Sequence, residues 1–363
     1  MKIIAYYLPQ FHPIEENDTW WGTGFTEWTN VGKAKKYYRD HYQPKVPKDL
    51  GYYDLRLPEI RNQQVNLAKR AGVDAFCYWH YWFGNGRRLL EMPFNEILKS
   101  GEPDFPFCLG WANESWKAKV WDSGSTKRDR ILIEQQYPGE QDQIDHFYVL
   151  LDAFRDSRYL RLNEKPIFVI YKPFLMPDVK VFIAKWNDLA RKENVSDGFH
   201  FIGHTEKSSD IPSILKMGFN AVNIVRNGEQ ANNKELIRKI IFPLLIYKLF
   251  NKPLKIQYSL ISKYFIQESE LNFNIYPSII PNWDHTPRSG RKGTVYHNST
   301  PALFAKHVRS VMEVVKKKEE CDQIIFLKSW NEWGEGNYME PDLIFGMQYI
   351  DVLGELRRQN DVH

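Results

Sequence analysis

The chain has 363 residues, of which 43% are hydrophobic, and it carries 49 Lys and Arg against 45 Asp and Glu. The resulting net charge of +4 gives no basic footprint for DNA or RNA, so nucleic acid is excluded as an expected partner. The 3 cysteines contain no close pair, which argues against a disulfide framework and a zinc site, and we expect all of them to be small buried apolar groups.

Short apolar runs bounded by turn residues predict buried strands along the whole chain. The predicted strands, in chain order, are residues 2–7, 74–79, 106–111, 166–172, 199–204, 221–225, 275–280 and 323–329. Segments with helical spacing alternate with these strands, and the predicted helices are residues 58–71, 93–99, 139–156, 179–193, 211–217, 301–318 and 343–358.

This alternation predicts parallel strands joined by helical crossovers. Eight such units close into a (β/α)8 TIM barrel, which we expect to form one domain over residues 1–363 with long loops after the strands. The alternative is an open doubly wound sheet. It is disfavoured because the sequence has no GxGxxG after the first strand and no GxxxxGK[ST].

Residues 233–266 interrupt the alternation with an apolar and basic insertion, which we expect to be irregular. Positions 234–263 hold seven Lys or Arg against one acid, interleaved with Ile, Leu and Phe. The preferred interpretation is a helix packed on the outside of the barrel with Lys as its wet face. The alternative is a peripheral membrane contact, in which this segment docks on an anionic bilayer.

The expected location is the cytoplasm. The basic and apolar insertion suggests an alternative, in which the protein is peripheral to the inner membrane. The first residues, MKIIAYYLPQFHP, lack the length and the cleavage site of a signal peptide. No stretch of about 18 apolar residues predicts a helix that crosses a membrane.

Polar and aromatic residues collect just past the predicted strands, where TIM barrels place their active sites. Helix-to-strand turns instead carry Gly and Pro, so the polar groups segregate to one rim. For Asp284 and Arg288 a solvated loop position is the preferred interpretation, and Glu206 is weighed as a site residue as well. The predicted substrate-binding residues are Tyr7, His12, Trp28, His80, Trp82, Trp111, Asn113, Glu114, Trp116, Tyr171, His204, Trp283, Asn331 and Trp333.

Glu332 and Glu335 follow the last predicted strand on a Gly-bearing loop with Trp330 and Trp333 beside them. A carboxylate pair among aromatic rings suits glycosidic-bond chemistry, in which one group handles a proton and the other helps to develop or quench charge at the sugar carbon. We therefore predict Glu332 and Glu335 as the catalytic pair, and the residues themselves leave open which is acid and which is base. We expect the neighbouring indoles to raise the pKa of the acid by desolvation.

No metal and no other cofactor is expected. Three of the candidate residues are histidines, but they follow three separate strands without HxH or HExxH spacing. The 12 tryptophans instead suggest flat platforms for sugar faces, so an oligosaccharide or polysaccharide is the expected partner.

Four segments carry a family resemblance: YYLPQFHPIEEND, CYWHYWF, CLGWANESW and SWNEWGEGNYMEPD. In this order they resemble the WbsX-type proteins of surface-polysaccharide gene clusters. Those proteins are related to the family 99 glycoside hydrolases, the endo-α-1,2-mannosidase and mannanase group. The resemblance implies a (β/α)8 barrel and a metal-independent retaining hydrolase that acts on α-mannosidic linkages.

The resemblance also implies roles, because Asn331, Glu332, Trp333 and Glu335 match the catalytic motif of the family. Glu332 would be the base that takes the proton of the sugar 2-hydroxyl, so that the 2-oxygen attacks the anomeric carbon and forms an anhydro-sugar. Glu335 would protonate the leaving oxygen and then activate water. One departure is Gly334, where the hydrolases carry His.

Three functions therefore compete, and hydrolysis is preferred because no nucleotide-sugar signature such as a DxD after a strand is visible. The second is a glycosyltransferase or transglycosylase of O-antigen, lipopolysaccharide or capsule biosynthesis, as the family label suggests. The third is a non-catalytic carbohydrate-binding barrel. The sugar, the linkage, endo or exo action and the oligomeric state stay open.

Overall fold

The computed structural model describes residues 1–118, 130–227 and 234–361. Within them, eight parallel strands form a closed barrel, because the first strand pairs with the last on one side and with the second on the other. This confirms the (β/α)8 barrel. The barrel strands are β1 Lys2–Tyr7, β2 Ala75–Trp82, β3 Phe107–Trp111, β4 Lys165–Ile170, β5 His200–Thr205, β6 Ala221–Ile224, β7 Ile275–Ile279 and β8 Ile324–Leu327.

Helices lie between the barrel strands and after the last one, as the alternation predicts. In chain order they are α1 Glu15–Trp21, α2 Glu27–Gly32, α3 Pro58–Arg70, α4 Met92–Ser100, α5 Glu140–Val149, α6 Leu151–Arg155, α7 Val179–Lys192, α8 Ile211–Lys216, α9 Lys234–Phe250, α10 Tyr258–Ile261, α11 Thr286–Ser289, α12 Pro301–Val315 and α13 Gln348–Asp361. Short strands outside the barrel are Arg88–Leu89, Trp116–Lys117, Ile131–Ile133, Arg161–Leu162, Leu254–Gln257, Thr294–His297, Asn331–Glu332 and Asn337–Tyr338.

Helix α12 shows how the sequence dictates these outer elements. The hydroxyl of Thr300 accepts the backbone N–H of Leu303, which satisfies one of the free donors at the helix start. Phe304, Val308 and Val311 recur at helical spacing and are fully buried against the barrel and α13. Burying each of these side chains stabilises the fold by about 1.5–3 kcal/mol.

The interior of the barrel is aromatic and polar as well as aliphatic. Tyr6 stacks on Trp79 with ring centroids 4.7 Å apart and donates its hydroxyl to Asn223 Oδ1 at 2.7 Å. Asn223 Nδ2 in turn donates to Ser278 Oγ at 3.0 Å. The hydrogen bonds satisfy buried polar groups of three strands, and the stacked Trp79 adds a fourth strand to this layer of the barrel interior.

The observed elements differ from the predicted ones at several boundaries. Strand β2 continues through Trp82, because Tyr81 and Trp82 pair with a short antiparallel strand, Arg88–Leu89. The predicted helix 139–156 is divided into α5 and α6. The last helix begins at Gln348 rather than at 343, because the Asp342 carboxylate accepts the N–H groups of the next residues and holds them in a turn.

The insertion is regular where the structure describes it, so the expectation of irregular structure for 233–266 is wrong. Helix α9 is followed by a strand, Leu254–Gln257, which pairs in parallel with Thr294–His297. Leu236 and Ile240 of α9 belong to a second buried cluster beside the main core. None of the described helices is both long enough and apolar enough to cross a membrane.

The cysteines divide into two environments. Cys77 and Cys108 are buried as neighbours in β2 and β3, as expected. Cys321 is exposed on the short turn Glu320–Asp322, so the expectation that it is buried is wrong.

Candidate active site

A cavity of about 550 Å³ opens at the carboxyl ends of the barrel strands. Its wall includes residues that follow the strands, among them Leu8 after β1, Glu114 after β3, Tyr171 after β4 and Glu206 after β5. Six of the predicted site residues line it: Glu114, Trp116, Tyr171, Trp283, Glu332 and Glu335. The closed barrel thus brings together side chains that are far apart in the sequence.

The segment that carries the two glutamates is fixed against the end of β1. The side chain of Asn331 accepts the N–H of Leu8 at 2.8 Å and donates to the carbonyl of Leu8 at 3.0 Å. The N–H of Trp330 donates to the carbonyl of Tyr6 at 2.8 Å. The side-chain amide of Asn331 is therefore hydrogen-bonded to the backbone at the end of β1, and Asn331 does not line the cavity.

Trp333 lies beneath the same loop rather than in the cavity. Its ring stacks on Tyr338 with centroids 3.7 Å apart, and its indole N–H donates to Glu340 Oε2 at 2.6 Å. Glu340 also accepts the hydroxyl of Tyr53 at 2.8 Å and the amide of Gln64 at 2.7 Å. Burial raises the pKa of Glu340 to about 7, against the opposing effect of these hydrogen bonds.

A second anchor, Asp284, holds the turn that carries Glu335. The N–H of Asp284 donates to the carbonyl of Glu335 at 2.8 Å, and its buried carboxylate accepts from Gln43 and Thr286. Gly336 has a φ of +54°, and a Cβ there would lie 2.7 Å from the Asp284 Cβ, so this turn requires glycine. The expectation that Asp284 is solvated is wrong.

Arg288 is the electrostatic centre of the cavity. Its Nη1 lies 2.6 Å from Glu335 Oε1 and 3.6 Å from Glu332 Oε1, while its Nε donates to Glu27 Oε1 at 2.9 Å. Both catalytic candidates contact the same nitrogen, so their oxygens are no more than about 6.2 Å apart, within reach of one sugar ring. Arg288 is half-buried, so the expectation of a solvated loop position is wrong here too.

The charges around Glu335 overturn one expectation from the sequence. Burial acts to raise the pKa of Glu335, but Arg288, His285 and Lys328 lower it well below its usual range. The neighbouring indoles therefore do not produce a protonated acid here. Glu332 is held by a different cation, since Lys328 Nζ donates to its Oε2 at 2.8 Å.

Gly334 explains how Arg288 comes so close. A Cβ at this position would overlap Glu27 Oε1 and lie 3.1 Å from Arg288 Nε. The ion pair between Glu27 and Arg288 thus occupies the space that a side chain at 334 would need. The departure from the family pattern at this position has a local physical reason.

Several predicted residues lie behind the barrel wall instead of in the cavity. His80 and Trp82 face α5, where both contact the buried ring of His146. Trp111 Nε1 donates to the carbonyl of Trp82 at 2.9 Å, and desolvation lowers the pKa of His80 to about 3. Tyr7 also faces outwards and donates to Gln64 of α3 at 2.7 Å.

The remaining predicted residues support the loops or the core. Trp28 donates to the carbonyl of Tyr53 and packs on Trp333. Asn113 joins the ends of β3 and β4 through hydrogen bonds to the backbone of Lys172. His12 is buried with a pKa lowered by desolvation, and His204 is buried 4.8 Å from the Tyr171 ring.

The cavity also contains residues that the sequence prediction missed. Trp79 and Tyr81 line it. They alternate along β2 with His80 and Trp82, so the pleat directs Trp79 and Tyr81 towards the cavity and the other two towards α5. The sequence has no signal for which set faces the cavity, because both alternating sets of β2 are buried and rich in aromatic residues. Further lining residues that the sequence analysis did not consider are Gln10, Trp21, Phe25, Glu27, Lys117, His285 and Lys328, and the cavity is also lined by Glu206 and Arg288, which it had weighed.

Among the residues that the structure describes, no group of three His, Cys, Asp or Glu side chains is arranged to hold a metal ion. The cavity contains the adjacent carboxylates of Glu332 and Glu335, which are paired with the side chains of Arg288 and Lys328 and surrounded by aromatic rings. Such a site can move protons at a sugar and present flat apolar faces to it.

The chain is similar to known proteins along nearly its whole length. The model of a family described as "Glycosyltransferase WbsX" matches residues 3–353. Two relatives from Xanthomonas campestris pv. campestris, both named "Uncharacterized protein WxcX", are 32% identical over 364 residues, which cover 99% of this chain and 50% of the relative. The chain therefore spans about half the length of the curated relatives it matches.

Solved structures share the fold at low sequence identity. The GH99 endo-alpha-mannosidase from Bacteroides thetaiotaomicron has a TM-score of 0.55 and 16% identity, covering 99% of this chain and 98% of that one. A structure described as "Glycoside hydrolase-like protein" has a TM-score of 0.60 and 17% identity, with coverage of 98% and 93%. At this identity the likeness concerns the fold alone.

Proposed function

The chain belongs to the WbsX glycosyltransferase family, and from that premise and the cavity geometry we propose that it is a retaining glycoside hydrolase acting on α-mannosidic or related linkages of a polysaccharide. The observation that carries the proposal is that Glu332 and Glu335 both contact Arg288 within one cavity at the carboxyl ends of the strands. The fold shared with glycoside hydrolases of family 99 supports the same class of substrate.

In the proposed mechanism, Glu332 is the base. Its carboxylate takes the proton of the sugar 2-hydroxyl, and the 2-oxygen attacks the anomeric carbon as the bond to the leaving oxygen breaks. This yields an anhydro-sugar and a protonated Glu332. The hydrogen bond from Lys328 to Glu332 Oε2 leaves the other oxygen of the carboxylate for the substrate.

Glu335 is the acid in this mechanism, and it gives its proton to the leaving oxygen. In the second step it takes a proton from water, which opens the anhydro-sugar with overall retention, while Glu332 returns its proton to the 2-oxygen. The Arg288 guanidinium lowers the pKa of Glu335, so the ion pair must open before Glu335 is protonated. We propose that a bound sugar separates this pair while Glu27 retains the guanidinium.

Transfer to a sugar acceptor is the second candidate, and the description of the family as a glycosyltransferase favours it. The same two glutamates serve transfer if a hydroxyl of a second sugar replaces water. A non-catalytic binding barrel is the third candidate, and an assay of turnover separates it from both enzymatic proposals.

The experiment is incubation of the protein with α-linked manno-oligosaccharides, alone and with a nucleotide sugar, followed by product analysis. Release of a shorter sugar whose anomer is initially retained supports hydrolysis. Longer products that require the nucleotide sugar support a glycosyltransferase, and longer products without it support transglycosylation. Binding without turnover contradicts both enzymatic proposals.

A further inference from the structure

Helix α9 has two apolar faces, of which one is buried and the other is exposed. One face carries Leu236 and Ile240, which are buried in the second core cluster. The opposite face carries Ile241, Phe242, Leu245 and Leu249, whose exposed fractions lie between 48% and 73%. We call these four residues the α9 outer face.

The helix packs through its buried face, as the preferred sequence interpretation has it, but its exposed side carries these apolar residues as well as Arg238 and Lys239. At 3.6 residues per turn, the four side chains fall on one stripe, and Phe250 adds a further exposed ring at the helix end. A contiguous row of large exposed apolar side chains on a folded domain marks an interaction surface.

The segment that carries this face is basic in sequence, although its Lys255 is paired with Asp40. Positions 234–263 hold seven Lys or Arg against one acid. Arg238, Lys252 and Lys263 are exposed next to or beyond the helix. A partner that complements both features has an apolar interior and an anionic surface.

We propose that the α9 outer face docks on an anionic phospholipid bilayer, with α9 lying in the plane of the interface. Amphipathic helices that carry Phe and Leu on one face and Lys and Arg beside it bind such surfaces. A second copy of the chain is a poor occupant, because pairing this face with itself brings two cationic segments together.

The cluster that holds α9 is also packed against the cavity wall. The cluster that holds α9 includes Tyr296 and packs against Trp283, and Trp283 is part of the cavity wall. The insertion and the cavity rim therefore share one packed unit. The docking proposal itself does not depend on which reaction occurs in the cavity.

The test is co-sedimentation of the intact chain with vesicles of phosphatidylglycerol and phosphatidylcholine, compared with vesicles of phosphatidylcholine alone. The test variant combines Phe242→Glu and Leu249→Glu, whose side chains are exposed and so are not needed for folding. The matched control combines Phe174→Glu and Leu175→Glu, two exposed apolar residues on another segment, and circular dichroism checks the fold of each variant.

We expect the wild type and the control to bind the anionic vesicles, with binding weakened by salt, and the α9 variant to bind at least about tenfold less. No binding of the wild type to anionic vesicles, or equal binding of the α9 variant, overturns the proposal. A wild-type dimer in sedimentation velocity that the α9 variant converts to a monomer overturns it as well, in favour of a second copy. Turnover of a short oligosaccharide is measured in parallel, so that a failure of docking and a failure of the proposed hydrolysis remain separate results.

Discussion

The Cβ that Gly334 lacks would overlap the carboxylate of Glu27. Glu27 stands at the start of α2, whereas Gly334 lies between the two catalytic candidates near the other end of the chain. Their close approach lets Glu27 hold Arg288 above Gly334, and Arg288 in turn holds Glu335. The contacts of Glu335 in the proposed catalytic pair therefore depend on the absence of a side chain at position 334.

Gly334→Ala should disrupt this arrangement without unfolding the barrel. The added methyl group must displace the Glu27 carboxylate and with it the guanidinium of Arg288. We expect kcat/KM on an α-linked oligosaccharide to fall by about a hundredfold, the loss that a small misplacement at a reacting centre produces. Gly32→Ala is the matched control, because a Cβ at Gly32 meets open space, and an equal loss in both variants would refute the explanation.

Arg288→Gln should move the pH dependence of the reaction. Arg288 stabilises the ionised form of Glu335, so its removal raises the pKa of that carboxyl from its lowered value. The limb of the kcat/KM profile that reports Glu335 should therefore move to higher pH in this variant. The control Arg56→Gln, which removes an exposed partner of Asp54, should leave the pH profile unchanged. A limb that does not move in Arg288→Gln would show that the titration of Glu335 does not control the reaction.

Glu340 should make stability depend on pH in the direction opposite to most carboxyl groups. Its pKa is raised in the folded state from 4.5 to about 7, so the folded protein binds the proton more tightly than the unfolded chain. The stabilisation is present below pH 4.5 and is lost as the pH rises to about 7, a change of about 3 kcal/mol. The difference in unfolding free energy between wild type and Glu340→Gln, measured by urea denaturation across this range, should decrease with rising pH; a constant difference would contradict the assignment.

Much of the fold followed from the alternation of strand and helix patterns, because that signal is local and repeats along the chain. The site followed only in part. In β2 the sequence pointed to His80 and Trp82, but the pleat turns Trp79 and Tyr81 towards the cavity. A strand whose residues are buried on both sides gives no polar alternation that would show which residues point inwards.

The arginine at the centre of the cavity shows a second limit. Arg288 and Glu27 are 261 positions apart, and no local pattern links them. Arg288 lies among Ser, Gly and basic residues, which are typical of a solvated loop. Only the closed barrel brings it against three carboxylates, two of which the sequence had already indicated as catalytic.

Trp116 should contribute binding rather than chemistry. It lines the cavity and makes an edge contact with Tyr81 at 5.1 Å, which suits a flat platform for a sugar face. Trp116→Ala should raise KM by about tenfold with a much smaller change in kcat. Tyr52→Ala, which removes an exposed ring outside the cavity, should change neither constant; a kcat effect as large as the KM effect would assign Trp116 a different role.

The most direct test of the central claim is the turnover of an α-linked manno-oligosaccharide by the wild type, Glu332→Gln and Glu335→Gln. Glu313→Gln, on the exposed side of α12, serves as the matched control. We expect each of the two cavity variants to lose about a thousandfold in kcat while the control keeps the wild-type value. Unchanged turnover in both cavity variants would contradict the assignment of Glu332 and Glu335 as the catalytic pair.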